Sequence, residues 1–476
     1  MSKPEATHQL RAVMGFPDLV LFYVVTVFAP RWIATAAAAG PSAITVWLIT
    51  CVCLFVPLVF CVLELSSRYP QEGGPYLWSK QAFGSFAGFI TGWSYWTSNL
   101  PYFPGLLYFI AANALFINDD WQDLSDNRPY FIIVSLVGLT LAVTLNIIGL
   151  NISKWLHNIG AICLWVPAII LLIMGAVAWW RFGSATEFTT TSLLPSINLK
   201  DIIFWSTIAF AFGGVESAST MGEEIENPRR NIPRAVITAA IIITGIYILT
   251  TICVLLALPS QKVSALQGIM QAIREVGQRT NLAGLSPLTA ILITVSGVGA
   301  VGAWFAATAR LPFVAGLDHL LPPAFGQLHK RWGTPHIALI IQALIAALFI
   351  FLSQAGTSVK GAYEVLVSMG IITYFIPFLF MFAALIKLQR EPAGTDVIRV
   401  PGGKVVAYIF ASLGFITTSI SVVLAVIPSQ DEPNKLLAIT KTIGLTALLL
   451  LAGVAVYLNG KRKEKRAAQV GKVRSE

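Results

Sequence analysis

The stretch FAFGGVESAST, Phe210–Thr220, decides how the chain is read. It lies in an apolar run, yet it holds two adjacent glycines and a carboxylate, Glu216. A glycine weakens a helix by about 1 kcal/mol. A carboxylate deep in a bilayer costs roughly 2.5–3.5 kcal/mol even on the most lenient scale. A chain that accepts both at one point is opening a helix there. A second interruption lies in LVLFYVVTVFAPRWIATAAAAGP, residues 19–41, where Pro30 and Arg31 fall near the middle of another apolar run.

The surroundings of both stretches are those of a membrane protein. The chain has 476 residues, 56% of them hydrophobic and 12% charged, with a mean hydropathy of +0.74. Soluble domains carry about 25% charged residues. About 20 apolar residues span a bilayer as a helix. Twelve such runs are read, near 16–38, 43–67, 84–116, 129–150, 157–180, 200–222, 232–258, 286–313, 334–353, 363–387, 403–428 and 437–458. The expectation is an all-α membrane protein with twelve transmembrane helices. The first run lacks a cleavage pattern and is expected to be a retained helix.

Charge placement orients it. A cytoplasmic N-terminus puts most of the 32 Lys and Arg inside, including KRKEKR at 461–466. It leaves the acidic NDDWQDLSDNR, 118–128, outside. Both follow the positive-inside rule. Both termini are therefore expected in the cytoplasm, with the protein in the inner or plasma membrane. The net charge of +9 then needs no nucleic-acid partner, and the basic tail is expected to touch anionic lipid. Cysteines 51, 53, 61, 163 and 253 all lie in apolar runs. They read as buried thiols, with no metal site and no disulfide framework. No cofactor is expected.

The two interrupted helices open two blocks of five, 16–180 and 200–387. The segments 1–15, 403–458 and 459–476 read as the N-terminus, two further helices and the basic tail. Paired broken helices in matching halves point to an inverted-repeat transporter. Freed backbone groups are tolerated in a bilayer only where protein or a water-filled cavity covers them. A zwitterionic amino acid suits such groups: its carboxylate fits half-helix N-termini and its ammonium fits freed carbonyls. The stretch 259–285 reads as an amphipathic external helix, either an ordinary surface helix or a lid over the outer vestibule.

Several motifs carry a family resemblance. FGGVESASTMGEEIENPRRNIPRAV, residues 212–236, resembles the helix-six signature of the amino acid–polyamine–organocation (APC) superfamily. YPQEGGPYLWSKQAFG, 69–84, is similar to its loop between helices two and three. The segments 303–335 and VPGGK, 400–404, resemble its helix-eight end and the start of its helix eleven. The resemblance implies a LeuT-like five-plus-five inverted repeat plus two C-terminal helices. The nearest pattern is the glutamate/GABA antiporter branch, on QEGGPYLW and on the lack of a G-S-G triplet in helix one. Where other members hold the substrate carboxylate with that triplet, this chain has TVFAPRW. Ala300 stands where that branch has a glutamate, so a neutral or small apolar amino acid is expected. GAICLW, 160–165, lacks the helix-five lysine of proton-coupled members.

The expected substrate-binding residues are Thr26, Val27, Phe28, Ala29 and Arg31 in helix one, and Phe210, Phe212, Gly213 and Gly214 in helix six. Asn99 and Tyr102 in helix three, Trp304 in helix eight, and Ser368 and Tyr374 in helix ten complete the set. For the aromatic and polar members, plain packing or interhelical bonding is the competing reading. Arg31 reads as a carboxylate contact, an outer-gate ion pair or a snorkelling side chain. Glu216 reads as a protonatable gate or a structural brace. Glu223, Glu224, Glu226, Arg229, Arg230 and Arg234 read as ion pairs at the cytoplasmic mouth or as a solvated loop.

The expected activity is secondary active transport of amino acids or related amines by alternating access, as an exchanger. The alternative is a proton-coupled symporter; a channel is less favoured, since neither charge rings nor a carbonyl-filter motif occurs. No catalytic constellation or Walker A motif points to an enzyme or an ATP-driven pump. The 3–4 loop has no cysteine for a disulfide-linked heavy chain. A small-molecule substrate, lipid, and a monomeric or homodimeric state are expected.

Overall fold

The computed structural model describes residues 15–69, 73–148, 150–195, 199–216, 227–309, 320–321, 323–392, 394, 397–429 and 432–475. Among these, all regular structure is helical. Ten helices among the described residues are long and apolar enough to cross a membrane. The apolar segment 16–38 is not among the ten, because it is in two pieces, and in 200–222 the described helix ends at Phe210.

The first segment forms α1 (Phe16–Val27) and α2 (Arg31–Ala38), separated by Phe28–Pro30. Pro30 has no N–H to continue the ladder, and its ring disfavours helical backbone at Ala29. Phe28 is accordingly extended, with φ −73° and ψ 118°. A crossing helix, α3 (Ser42–Arg68), widens to a π-turn over Cys51–Phe55. The cause is Pro57, which cannot donate to the Cys53 carbonyl four residues back. The Thr417 hydroxyl donates to that carbonyl instead, at 3.3 Å.

The short α4 (Gly74–Phe83) leads to α5 (Ser85–Thr97) and α6 (Asn99–Ala114), which meet at Ser98. Pro101 and Pro104 follow this joint. Asn99 Nδ2 donates to the Tyr95 and Trp96 carbonyls at 3.0 and 3.2 Å, bonding across the joint. The helices α7 (Arg128–Ile148) and α8 (Leu150–Phe182) complete the first half.

The second broken segment forms α9 (Leu199–Phe210), then turns over Ala211–Glu216. Residues 217–226 lie outside the described residues, and with them Glu223, Glu224 and Glu226. Next come α10 (Pro228–Ala257), α11 (Gly268–Arg279), α12 (Leu285–Thr308), α13 (His336–Gln354), α14 (Val359–Leu388), α15 (Gly403–Ala425) and α16 (Lys435–Ser475). The helix α11 is the amphipathic element expected in 259–285; it buries Met270, Ile273 and Val276. Side chains tie its approach inward: Thr35 Oγ1 to the Ala265 carbonyl at 3.2 Å, and Asn113 Nδ2 to that of Leu266 at 3.2 Å. The basic segment expected as a separate tail from 459 continues α16 without a break, since Lys, Arg and Glu are good helix formers.

Two polar anchors are not evident from hydropathy. Glu64 is 1% exposed. It pairs with Arg68 at 3.0 Å, accepts from Val400 N–H at 3.0 Å, and accepts from Gln389 Nε2. Arg68 also donates to the Leu388 carbonyl at 3.0 Å. Together they fasten the segment after α14 to the end of α3. At the other anchor, Lys441 Nζ donates to the Ser353 carbonyl at 2.9 Å and to that of Ala355, holding the end of α13. All five cysteines are free thiols.

Candidate functional site

A break in a buried helix must dispose of its freed backbone groups. Here one side chain serves both breaks. Tyr247, on α10, is fully buried. Its hydroxyl donates to the Val27 carbonyl at 2.9 Å, lies 3.3 Å from that of Ala211, and accepts from the Ala29 N–H at 3.0 Å. One phenol thus joins the end of α1, the start of the α1–α2 break and the turn after α9. Its ring is fixed by stacking on Trp47 at 4.3 Å and 6°. Trp47 in turn donates to Thr251 Oγ1 at 3.1 Å.

The turn after α9 needs its glycines for two different reasons. A Cβ on Gly213 would sit 2.5 Å from Tyr374 Cε1, closer than side chains tolerate. Gly214 has φ +120°, where L-residues are strained. Its N–H donates to Glu216 Oε2 at 3.1 Å. Glu216 Oε1 accepts from the Tyr95 hydroxyl at 3.1 Å and from that of Tyr374. Glu216, 1% exposed, therefore braces the opened segment against α5 and α14.

Aromatic rings carry the site across the bundle. Tyr374 meets Phe210 edge-on at 5.2 Å, and Phe210 meets Trp32 edge-on at 5.3 Å. The Arg31 guanidinium lies 4.0 Å from the ring centre of Trp32 and 4.0 Å from that of Tyr102. Tyr102 faces Trp304 at 6.2 Å. Beside Arg31 is a cavity of about 120 Å³ between the α1–α2 break and helices α6, α8 and α12. Phe28, Ala29, Arg31, Tyr102 and Trp304 line it, with Cys163, Ser296 and Ala300.

Five of the expected site residues therefore meet at one cavity. Phe210, Gly213, Gly214, Tyr374 and Glu216 form the adjoining brace. Val27 contributes its carbonyl through Tyr247; the side chain of Thr26 lies outside the described residues. Phe212 packs among Trp47, Phe55 and Tyr247, at 5.4, 4.8 and 6.1 Å. Asn99 bonds back to the end of α5. Ser368 lines a separate pocket with Thr35, Tyr363 and Glu364. Sequence reading missed Tyr247, Tyr95 and Trp32. A tyrosine inside an apolar run looks like packing; the signal was the need of two broken helices for a donor from a neighbour. Among the described residues no group of His, Cys, Asp and Glu is placed to hold a metal.

The site and the helical bundle together are those of a membrane carrier. The family model for amino acid permeases matches residues 13–452, and the chain belongs to that family, within the APC superfamily. An uncharacterized transporter of Legionella pneumophila is 28% identical over 94% of this chain and 95% of its own length. The probable agmatine/putrescine antiporter AguD of Lactococcus lactis is 24% identical over 92% of this chain and 93% of its own. The glutamate/serine transporter AimA of Bacillus subtilis is 24% identical over 85% and 77%. The chain is thus a multi-pass membrane transporter that binds a small molecule, an amino acid or an amine, and not an enzyme.

Proposed function

We propose that the chain is a secondary active exchanger working by alternating access, with twelve membrane helices in a five-plus-five inverted repeat and two more at the C-terminus. The single observation that carries this reading is the α1–α2 break and the turn after α9, both bound to one hydroxyl, Tyr247, beside an internal cavity. Broken helices leave half-helix ends at mid-membrane, where substrate groups replace the lost ladder partners. The repeats are 16–180 and 200–387, with 403–458 outside them. Positive-inside charge supports cytoplasmic termini in the cell membrane.

The substrate contacts in this reading are Phe28, Ala29, Arg31, Tyr102 and Trp304, closed by Phe210 and Tyr374. Exchange is favoured over proton symport by the antiporter among the relatives and by a Glu216 carboxylate already bonded to three donors. The test is counterflow in proteoliposomes holding the full-length protein. Labelled external amino acid should accumulate only when unlabelled compound is inside, without a pH gradient. Uptake that needs an imposed proton gradient and ignores internal substrate would favour symport.

A further inference from the structure

Arg31 sets three unfavourable features at one point. It is 3% exposed. It is the first residue of α2, and the N-terminus of a helix repels cations. Among the described residues no carboxylate pairs with it, and its buried Nε has no hydrogen-bond partner. Among the described residues its guanidinium lies over the rings of Trp32 and Tyr102, both 4.0 Å away. Buried charges are normally paired. A sequence that breaks three local rules at once does so at functional sites. Glu216, the carboxylate of the neighbouring brace, is already engaged by Tyr95, Tyr374 and Gly214.

The cavity beside Arg31 is otherwise apolar on most sides, with Leu106, Phe109, Ile293 and Trp304 among its walls. Ala300, on the same wall, brings no charge. The local field is therefore positive: one guanidinium, 4.0 Å from two ring centres, plus a half-helix N-terminus.

We propose that Arg31 is the specificity-determining residue of the cavity, selecting a ligand that carries a carboxylate and rejecting diamines. A carboxylate satisfies the guanidinium and the helix end together, with charge-assisted bonds. A diamine meets like charge in a desolvated site. This inference rests on the transport reading of the same cavity. It also separates this chain from the relative named for agmatine and putrescine, so cargo is set here by one residue and not by overall likeness.

The test uses purified full-length protein, thermal unfolding and counterflow, with L-alanine, L-serine, L-glutamate, L-alaninamide, putrescine and agmatine. L-alanine and L-alaninamide differ only in the carboxylate. At least one carboxylate compound should raise the unfolding midpoint and exchange, while L-alaninamide, putrescine and agmatine do neither. Arg31→Gln should weaken that compound at least about 30-fold, the loss expected for truncating one partner of a buried charge pair, and Arg31→Lys should recover part of it. If Arg31→Gln does not fold, the alanine–alaninamide contrast on the unaltered protein decides. Putrescine or L-alaninamide exchanging as well as the carboxylates would overturn the inference and leave the transport reading standing. Silence across the whole panel in both assays would overturn the transport reading, and this inference with it.

Discussion

Tyr247→Phe removes one oxygen and keeps the ring. The stacked contact with Trp47 at 4.3 Å remains, as does the neighbouring Phe28 ring at 5.3 Å, so no cavity opens. What changes is polar. The Ala29 N–H loses its acceptor, and the carbonyls of Val27 and Ala211 lose their donor. Leaving a buried group unsatisfied costs about 1–3 kcal/mol. One N–H is stranded outright. The two carbonyls share a single proton, so they add at most the equivalent of one further group. The expected loss is about 2–4 kcal/mol, which for a chain of 476 residues corresponds to an apparent Tm lower by roughly 2–4 °C at about 2.1 cal/mol/K of unfolding entropy per residue. Because the bonds bridge both breaks, exchange should slow more than expression falls. The assay is thermal unfolding in detergent beside counterflow in proteoliposomes. Thr440→Ala, which removes an exposed hydroxyl bonded only within its own helix, serves as control and should shift Tm far less. A Tyr247→Phe protein that unfolds and exchanges like the unaltered one would refute the claim that this hydroxyl satisfies the two breaks.

Gly213→Ala should nearly abolish exchange, since the added Cβ meets Tyr374 at 2.5 Å; recovery in Gly213→Ala with Tyr374→Ala would assign the loss to that clash, and its failure would not. Glu64→Ala strands Arg68 and should destabilise by about 3–5 kcal/mol, read as a lower Tm; an unchanged Tm would mean the anchor contributes nothing. Ala300→Glu places a carboxylate on the cavity wall beside Arg31, so carboxylate compounds should bind at least about tenfold more weakly; unchanged affinity in the unfolding assay contradicts the cavity assignment. Glu216→Gln should flatten any change of exchange rate between mildly acidic and neutral pH if the carboxyl is a proton gate, while an unchanged profile leaves it a brace.

The breaks were legible in the sequence because proline and paired glycines have no other good use inside an apolar run. Pro30 and Gly213–Gly214 marked them to within two or three residues. The residues that bind the breaks were not legible. Tyr247 sits among Ile, Thr and Leu on α10, and hydropathy gives a tyrosine there no distinction. Asn99 was placed by type in the cavity, yet its amide turns back to the Tyr95 and Trp96 carbonyls, four and three residues before it. Phe212 was grouped with Phe210 by the resemblance to the family's helix-six aromatic positions. On the turn after α9 the two rings diverge, one toward Trp32 and the other into the Trp47–Phe55 cluster. Glu64 was hidden by an apolar run, although its spacing of four from Arg68 was an ion-pair signal.

In the proposed transport cycle, substrate occupies the cavity beside the α1–α2 break. Cys163 lines that cavity and is a free thiol. A protein keeping Cys163 alone, with Cys51, Cys53, Cys61 and Cys253 replaced by alanine, can be labelled with a small membrane-permeant maleimide. The compound that drives counterflow should slow labelling of Cys163 at the concentration that half-saturates exchange. Arg31→Gln in the same background should shift that protection to higher concentration. Labelling that proceeds at one rate with and without saturating substrate, in a protein that still exchanges, would place the substrate elsewhere.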